Sequence, residues 1–117
     1  AVERFVRAMF KSKRPEGEIA ELVRIATRMP LEASLSLFPS HLPREHWRSI
    51  ARTVKAPLLY AVTPQFAQQA SNLSAARAGT RVEIFMEAGH AIFVDDPGRF
   101  NRMLLEFIDE SCRSGRD

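Results

Sequence analysis

The residues of this 117-residue chain that could move a proton or attack a carbonyl are its three histidines, its serines and its carboxylates. His90 stands in the most suggestive setting. It follows Gly89 in the stretch Glu87-Ala88-Gly89-His90-Ala91-Ile92-Phe93-Val94-Asp95-Asp96-Pro97. An apolar run, Arg81 to Met86, precedes it and reads as a buried strand; an amphipathic segment, Phe100 to Ile108, follows it and reads as a helix. A loop between a strand end and a helix start can hold an imidazole and still leave it exposed, as a general base needs. The plainer alternative is a histidine that fills a loop.

The other candidates are weaker. His41 and His46 lie five apart with Pro43 between them, which is not the i, i+4 spacing that sets two metal ligands on one helix face. No metal and no other cofactor is expected. Asp95 and Asp96 could form a pair of carboxylates, but a helix cap beside a solvated neighbour explains them better. Ser34, Ser36 and Ser40 are the serines one could propose as nucleophiles. None has the Gly-flanked, strained turn that exposes a reactive hydroxyl, and the first two fall in a helical segment. The G-x-S-x-G nucleophile turn occurs nowhere in the chain. Cys112 has no partner at ligand or disulfide spacing and reads as a plain intracellular thiol. Phe10, Met29, Phe38 and Trp47 could line an apolar pocket, though ordinary packing explains each as well.

The elements that must position these residues follow from periodicity. Val2, Phe5, Val6, Met9 and Phe10 recur at helical spacing and give a helix over 2–12. Pro15 and Gly17 mark a break. Ile19, Leu22, Val23 and Ala26 give a second helix ending near Met29-Pro30, and Leu31 to Phe38 a short third. A loop with Pro39 and Pro43 leads to a fourth helix carrying Trp47, Ile50, Ala51 and Val54, with Pro43 suited to its first turn. The pattern then changes. Leu58 to Val62 is a continuous apolar run between Pro57 and Pro64, as a strand covered on both faces reads. Phe66, Ala70, Leu73 and Ala76 form a crossover helix with Gly79 at its C′ position. Val82 to Met86 is the second strand. Asp96 caps the last helix with Pro97 at its first position, and Phe100, Met103, Leu104, Phe107 and Ile108 form its buried stripe. The expected fold class is therefore α/β: a helical region, residues 1–42, then a βαβα unit, residues 43–117. Right-handed crossover makes its two strands parallel.

Bulk properties exclude several functions. Hydrophobic residues make up 45% of the chain, enough for a core. No apolar stretch reaches the length of a membrane span, and the first residues lack the apolar region of a secretory leader. A cytoplasmic location is expected. The net charge of +3 raises the question of nucleic acid. The densest basic run, Arg7, Lys11, Lys13 and Arg14, lies at a helix end, where cations complement the dipole. Elsewhere both signs alternate, so no nucleic-acid partner is expected. Ala1 stands where an initiator methionine would, so the chain is expected to be trimmed or cut from something longer.

These residues resemble the C-terminal half of an α/β-hydrolase. In that superfamily a Gly-His pair closes the last strand, and a D-x-P-x-x-F or E-x-P-x-x-F pattern opens the last helix. Ala88-Gly89-His90 with Asp96-Pro97-Gly98-Arg99-Phe100-Asn101 matches that shape, and Val54-Lys55-Ala56-Pro57-Leu58-Leu59 looks like the lead into the strand after the cap. The resemblance implies hydrolysis of small carboxylic esters, with His90 as general base. It covers roughly residues 43 to 112, and implies that residues 1–42 are a cap-like helical region, which matches by composition alone. Two departures are plain. The half bearing the nucleophile turn and oxyanion hole is absent. The turn where the family can carry its acid is here Ala61-Val62-Thr63-Pro64-Gln65-Phe66, with no carboxylate. Nothing before Leu58 reads as a strand to pair its other edge, and an unpaired apolar edge invites another chain. The expected partners are a second copy or a complementary N-terminal half. The alternative to a hydrolase is a non-catalytic remnant of the fold that oligomerises.

Overall fold

A computed structural model describes residues 1–37 and 43–114. The N-terminal part is helical: α1 (Val2–Ala8), α2 (Glu16–Ala26), α3 (Leu31–Leu37) and α4 (Arg44–Thr53). There follow β1 (Leu58–Val62), a 3-10 turn (Pro64–Phe66), α5 (Ala67–Ala76), β2 (Thr80–Ile84), α6 (Ile92–Asp95) and α7 (Pro97–Ser114). The fold is mixed α/β and mostly helical.

The strands pair in parallel, with Leu58 opposite Thr80 and Val62 opposite Ile84. β1 falls on the residues its proline-bounded apolar run marked out. β2 stops at Ile84, two residues short of the expected Met86. Its ladder ends where β1 ends: Phe85 donates its N–H to Val62 O at 2.8 Å. Pro64, which lacks an N–H, then turns the partner chain away. The crossover is fixed from below by Arg77, whose guanidinium donates to the carbonyls of Val54, at 3.0 Å, and Ala56. Arg77 is also the C-cap of α5, so Gly79 stands two residues past the cap rather than at C′. Its φ of +78° serves the turn into β2.

α1 is shorter than its apolar periodicity suggested. It ends at Ala8, and Met9 to Ser12 run on as a strap whose backbone is used elsewhere. α7 begins as expected. Asp96 Oδ1 accepts the Arg99 N–H at 3.2 Å, which is N-cap geometry with Pro97 at N1. Its apolar stripe, however, is only partly covered. Met103 is buried, Phe100 and Phe107 are half-buried, and Leu104 and Ile108 are exposed.

The core is small and sits beneath the β2–α6 turn. Phe85, Ala88, Ile92 and Met103 are buried together, with Leu59, Ala61 and Phe100 against them. Much apolar surface lies outside it: Phe5, Leu31, Leu35, Trp47, Leu105 and Phe93 are each more than half exposed. The chain exposes 9086 Å², whereas a compact protein of its mass exposes roughly 6,400 Å². Its radius of gyration is 17.2 Å, against roughly 13 Å for a compact domain of this length. These residues leave more apolar surface uncovered than a self-contained globule does.

Candidate active site around the His90 turn

β2 delivers the chain upward through Phe85, and a turn at Met86-Glu87 reverses it. Ala88 is buried, Gly89 is half-buried, and His90 sits exposed at a bend before the single turn of α6. The neighbours of His90 are pinned on both sides. Gly89 donates its N–H to Asp95 Oδ2 at 2.7 Å, and Ala91 donates its N–H to Met9 O at 2.8 Å. Gly89 has to be glycine here. A Cβ on it would stand 2.7 Å from both Met9 O and Lys11 N, which are backbone atoms that cannot swing aside.

Asp95 is the hub of this turn. Besides Gly89, its carboxylate accepts the backbone N–H of Lys11 at 2.8 Å, the backbone N–H of Ser12 at 3.0 Å, and the Ser12 hydroxyl. The expectation of a solvated neighbour to a cap is corrected: Asp96 is the cap and Asp95 is a half-buried acceptor of four donors. The one-turn helix α6 explains this, because it folds Asp95 back over Gly89. Burial acts to raise the pKa of Asp95. The donors from Lys11, Ser12 and Gly89 outweigh it and hold the group at about 2, below its ordinary value of 3.8. Lys11 adds a second tie, donating from Nζ to Met86 O at 3.0 Å and to Glu87 Oε2 at 2.8 Å.

A pH dependence follows. A depressed carboxylate pKa stabilises the fold while the group is ionised, above about pH 4, and that stabilisation is lost as pH falls through about 2. Urea unfolding at pH 5, 3 and 2 is expected to show a decline of which about 1–2 kcal/mol belongs to Asp95. Asp95→Asn is expected to start lower at pH 5 and to decline less steeply.

A shallow cleft of about 330 Å³ opens beside His90. Lys11, Thr63, Gln65 and Met86 are among the residues that line it with Gly89 and His90. Thr63 is buried, and its hydroxyl has no hydrogen-bond partner among the described residues. The turn after β1 thus reaches the histidine, and from Ala61 to Phe66 it carries no carboxylate. Among the described residues, no serine lines the cleft.

The remaining candidates lie apart from it. Ser34 donates its hydroxyl to Pro30 O and Ser36 to Ala33 O, so both are spent on the α3 backbone. Ser40, His41 and Phe38 lie outside the described residues. His46 is exposed on α4, its ring edge-on to Trp47 at 5.4 Å. Trp47, Met29 and Phe10 do not line the cleft, and the Arg14 guanidinium lies over the Phe10 ring at 5.8 Å. Cys112 is exposed on α7. Sequence reasoning missed the strap at Met9 to Ser12. The one available signal was Gly89, a glycine beside the histidine that a close backbone approach requires.

Among the described residues, no helix is long and apolar enough to cross a membrane. No family model matches the sequence, and no curated protein matches it either. A solved structure does match in shape: an esterase from Exiguobacterium antarcticum, at a TM-score of 0.69 and 18% identity. The match covers 92% of this chain and 41% of the esterase, so the chain spans well under half of that protein. At that identity the likeness speaks for the fold: the parallel pair, the crossover helix, the histidine turn and the closing helix form one portion of an α/β-hydrolase fold.

Proposed function

We propose that this chain is the histidine-bearing portion of a hydrolase of small carboxylic esters, with His90 as general base and the nucleophile supplied from outside these residues. The observation that carries the reading is the His90 turn itself. An imidazole stands exposed at a cleft, on a loop pinned at the residues before and after it, in a fold portion shared with an esterase. In this reading the imidazole takes the proton of a serine hydroxyl as its oxygen attacks the ester carbonyl. It returns that proton to the departing alcohol, and a water repeats the cycle on the acyl-enzyme. The complementary portion supplies the serine, the oxyanion donors and the acid. It docks on the apolar surface left open, and the free edge of β1 offers its backbone groups to that portion's strands. Residues 1–42 are then cap-like and 43–117 the hydrolase-like unit, with residues 9–12 reaching across to the histidine turn. A cytoplasmic location accords with the lone, unpaired Cys112.

A fluorophosphonate probe tests this. The chain alone is expected to stay unlabelled. Mixed with a serine-bearing N-terminal portion, it is expected to speed labelling of that portion's serine. Rapid labelling of the isolated chain would contradict the proposal.

One observation favours a second reading. The turn Ala61 to Phe66 beside His90 carries no carboxylate, as a fold kept for assembly rather than catalysis would allow. Such a chain pairs its own β1 edges into a two-fold dimer. Light scattering at tens of micromolar decides it: a monomer rules this reading out.

A further inference from the structure

We propose that Asp95, gripping the strap Met9 to Ser12, is the positioning residue that sets the placement of His90. This rests on the reading of His90 as the base, and it concerns a contact between the two ends of the chain. The carboxylate bonds to Lys11 and Ser12 are made across 84 and 83 residues of sequence. The same carboxylate takes the N–H of the residue immediately before the histidine. The strap in turn supplies Met9 O to the N–H of the residue immediately after it. Both peptide neighbours of His90 are therefore referred to one rigid assembly, and an imidazole on a short loop inherits its direction from them. Second-layer hydrogen bonds of this kind are what hold a reacting side chain within the tolerance that catalysis needs.

The chemistry of Asp95 suits the task in a way that a neutral isostere does not. A carboxylate only accepts, and here its two oxygens face four donors. An asparagine would turn an NH2 either toward the Lys11 and Gly89 N–H groups or toward the Ser12 N–H and hydroxyl, so at least one backbone N–H would face a donor in place of an acceptor. Gly89 completes the device, since the absence of its side chain lets the strap backbone lie against the histidine turn. The competing account is that Asp95 only fastens α1 to the body of the protein and that His90 would point the same way without it.

The test is NMR on the full chain, reading the His90 ring and the backbone amides, with His46 on α4 as the internal reference. In Asp95→Asn, amide exchange at Gly89, Lys11 and Ser12 is expected to quicken tenfold or more, while the Phe85 amide in the ladder keeps its protection. The His90 χ1 couplings are expected to move from a single rotamer to averaged values, and the His46 signals to stay in place. Asp95→Glu, which keeps the charge but lengthens the arm, is expected to restore the couplings only in part. Should Asp95→Asn fail to fold, Ser12→Ala removes one donor and keeps the carboxylate. It is expected to shift His90 in the same direction by less. Unchanged His90 couplings in Asp95→Asn, or in Ser12→Ala if only that variant folds, would overturn the proposal. The experiment needs no enzymatic activity, so failure of His90 as a base would not mimic that result.

Discussion

Phe85→Ala is expected to lower the unfolding free energy by about 3–5 kcal/mol, the cost of emptying a filled aromatic site in a core. Phe85 is 1% exposed and is the largest fully buried side chain among the described residues. It lies in the buried cluster beneath the β2–α6 turn, with Ala88, Ile92 and Met103. The Arg99 guanidinium stacks on its ring at 4.1 Å, so truncation also removes a cation–π contact. The surrounding residues come from a turn and from two helices held elsewhere, which limits how far the site can collapse. A domain of this size has about 5–15 kcal/mol in total, and this one leaves much apolar surface uncovered. Circular dichroism is expected to show the variant without a cooperative thermal transition. Phe107→Ala makes the contrast. Full burial of Phe107 would have given it a cost equal to that of Phe85, but the ring is half-buried at the edge of an uncovered face. A cost of about 1–2 kcal/mol is expected, against about 0.5 or less for the exposed Asp109→Ala. Equal losses at Phe85 and Phe107 would mean that the core has been misplaced.

His90→Asn is expected to lower the ester-hydrolysis rate of the complemented assembly by about a thousandfold or more, with little effect on stability. General acid–base assistance alone contributes about 100- to 10,000-fold, and base and nucleophile lose activity as a unit. The fold should tolerate the change. The ring is exposed, and the hydrogen bonds that pin its turn are made by the backbone N–H groups of Gly89 and Ala91. Asparagine keeps that backbone. Matching melting temperatures for His90→Asn and the parent chain, beside the lost rate, separate a chemical role from a loop-filling one.

The sequence made some of this plain and concealed the rest for physical reasons. β1 was legible because five apolar residues between two prolines have few other ways to fold. The start of α7 was legible because Asp96-Pro97 carries both a cap acceptor and a residue suited to N1. The parallel pairing followed from the crossover. α6 was not legible, since four residues are too few to show a period. The strap was hidden for another reason: its ties to Asp95 and Ala91 are made mostly by backbone N–H groups, and any residue but proline has one. Asp95 and Asp96 look alike in sequence, and only the fold separates a cap from a hub. The stripe of α7 identified the apolar face correctly. An amphipathic pattern says which face seeks cover, though, and not whether Leu104 and Ile108 find it within the same chain. His90 was found by its setting between strand and helix, whereas the means of holding it lay at the other end of the chain.

The central claim is that His90 completes an active site shared with a complementary serine-bearing portion. Hydrolysis of p-nitrophenyl acetate by the two portions, separately and mixed, tests it most directly. The expected result is negligible turnover by either alone, clear turnover by the mixture, and loss of that turnover when the chain carries His90→Asn. A mixture that hydrolyses the ester equally well with His90→Asn would contradict the claim.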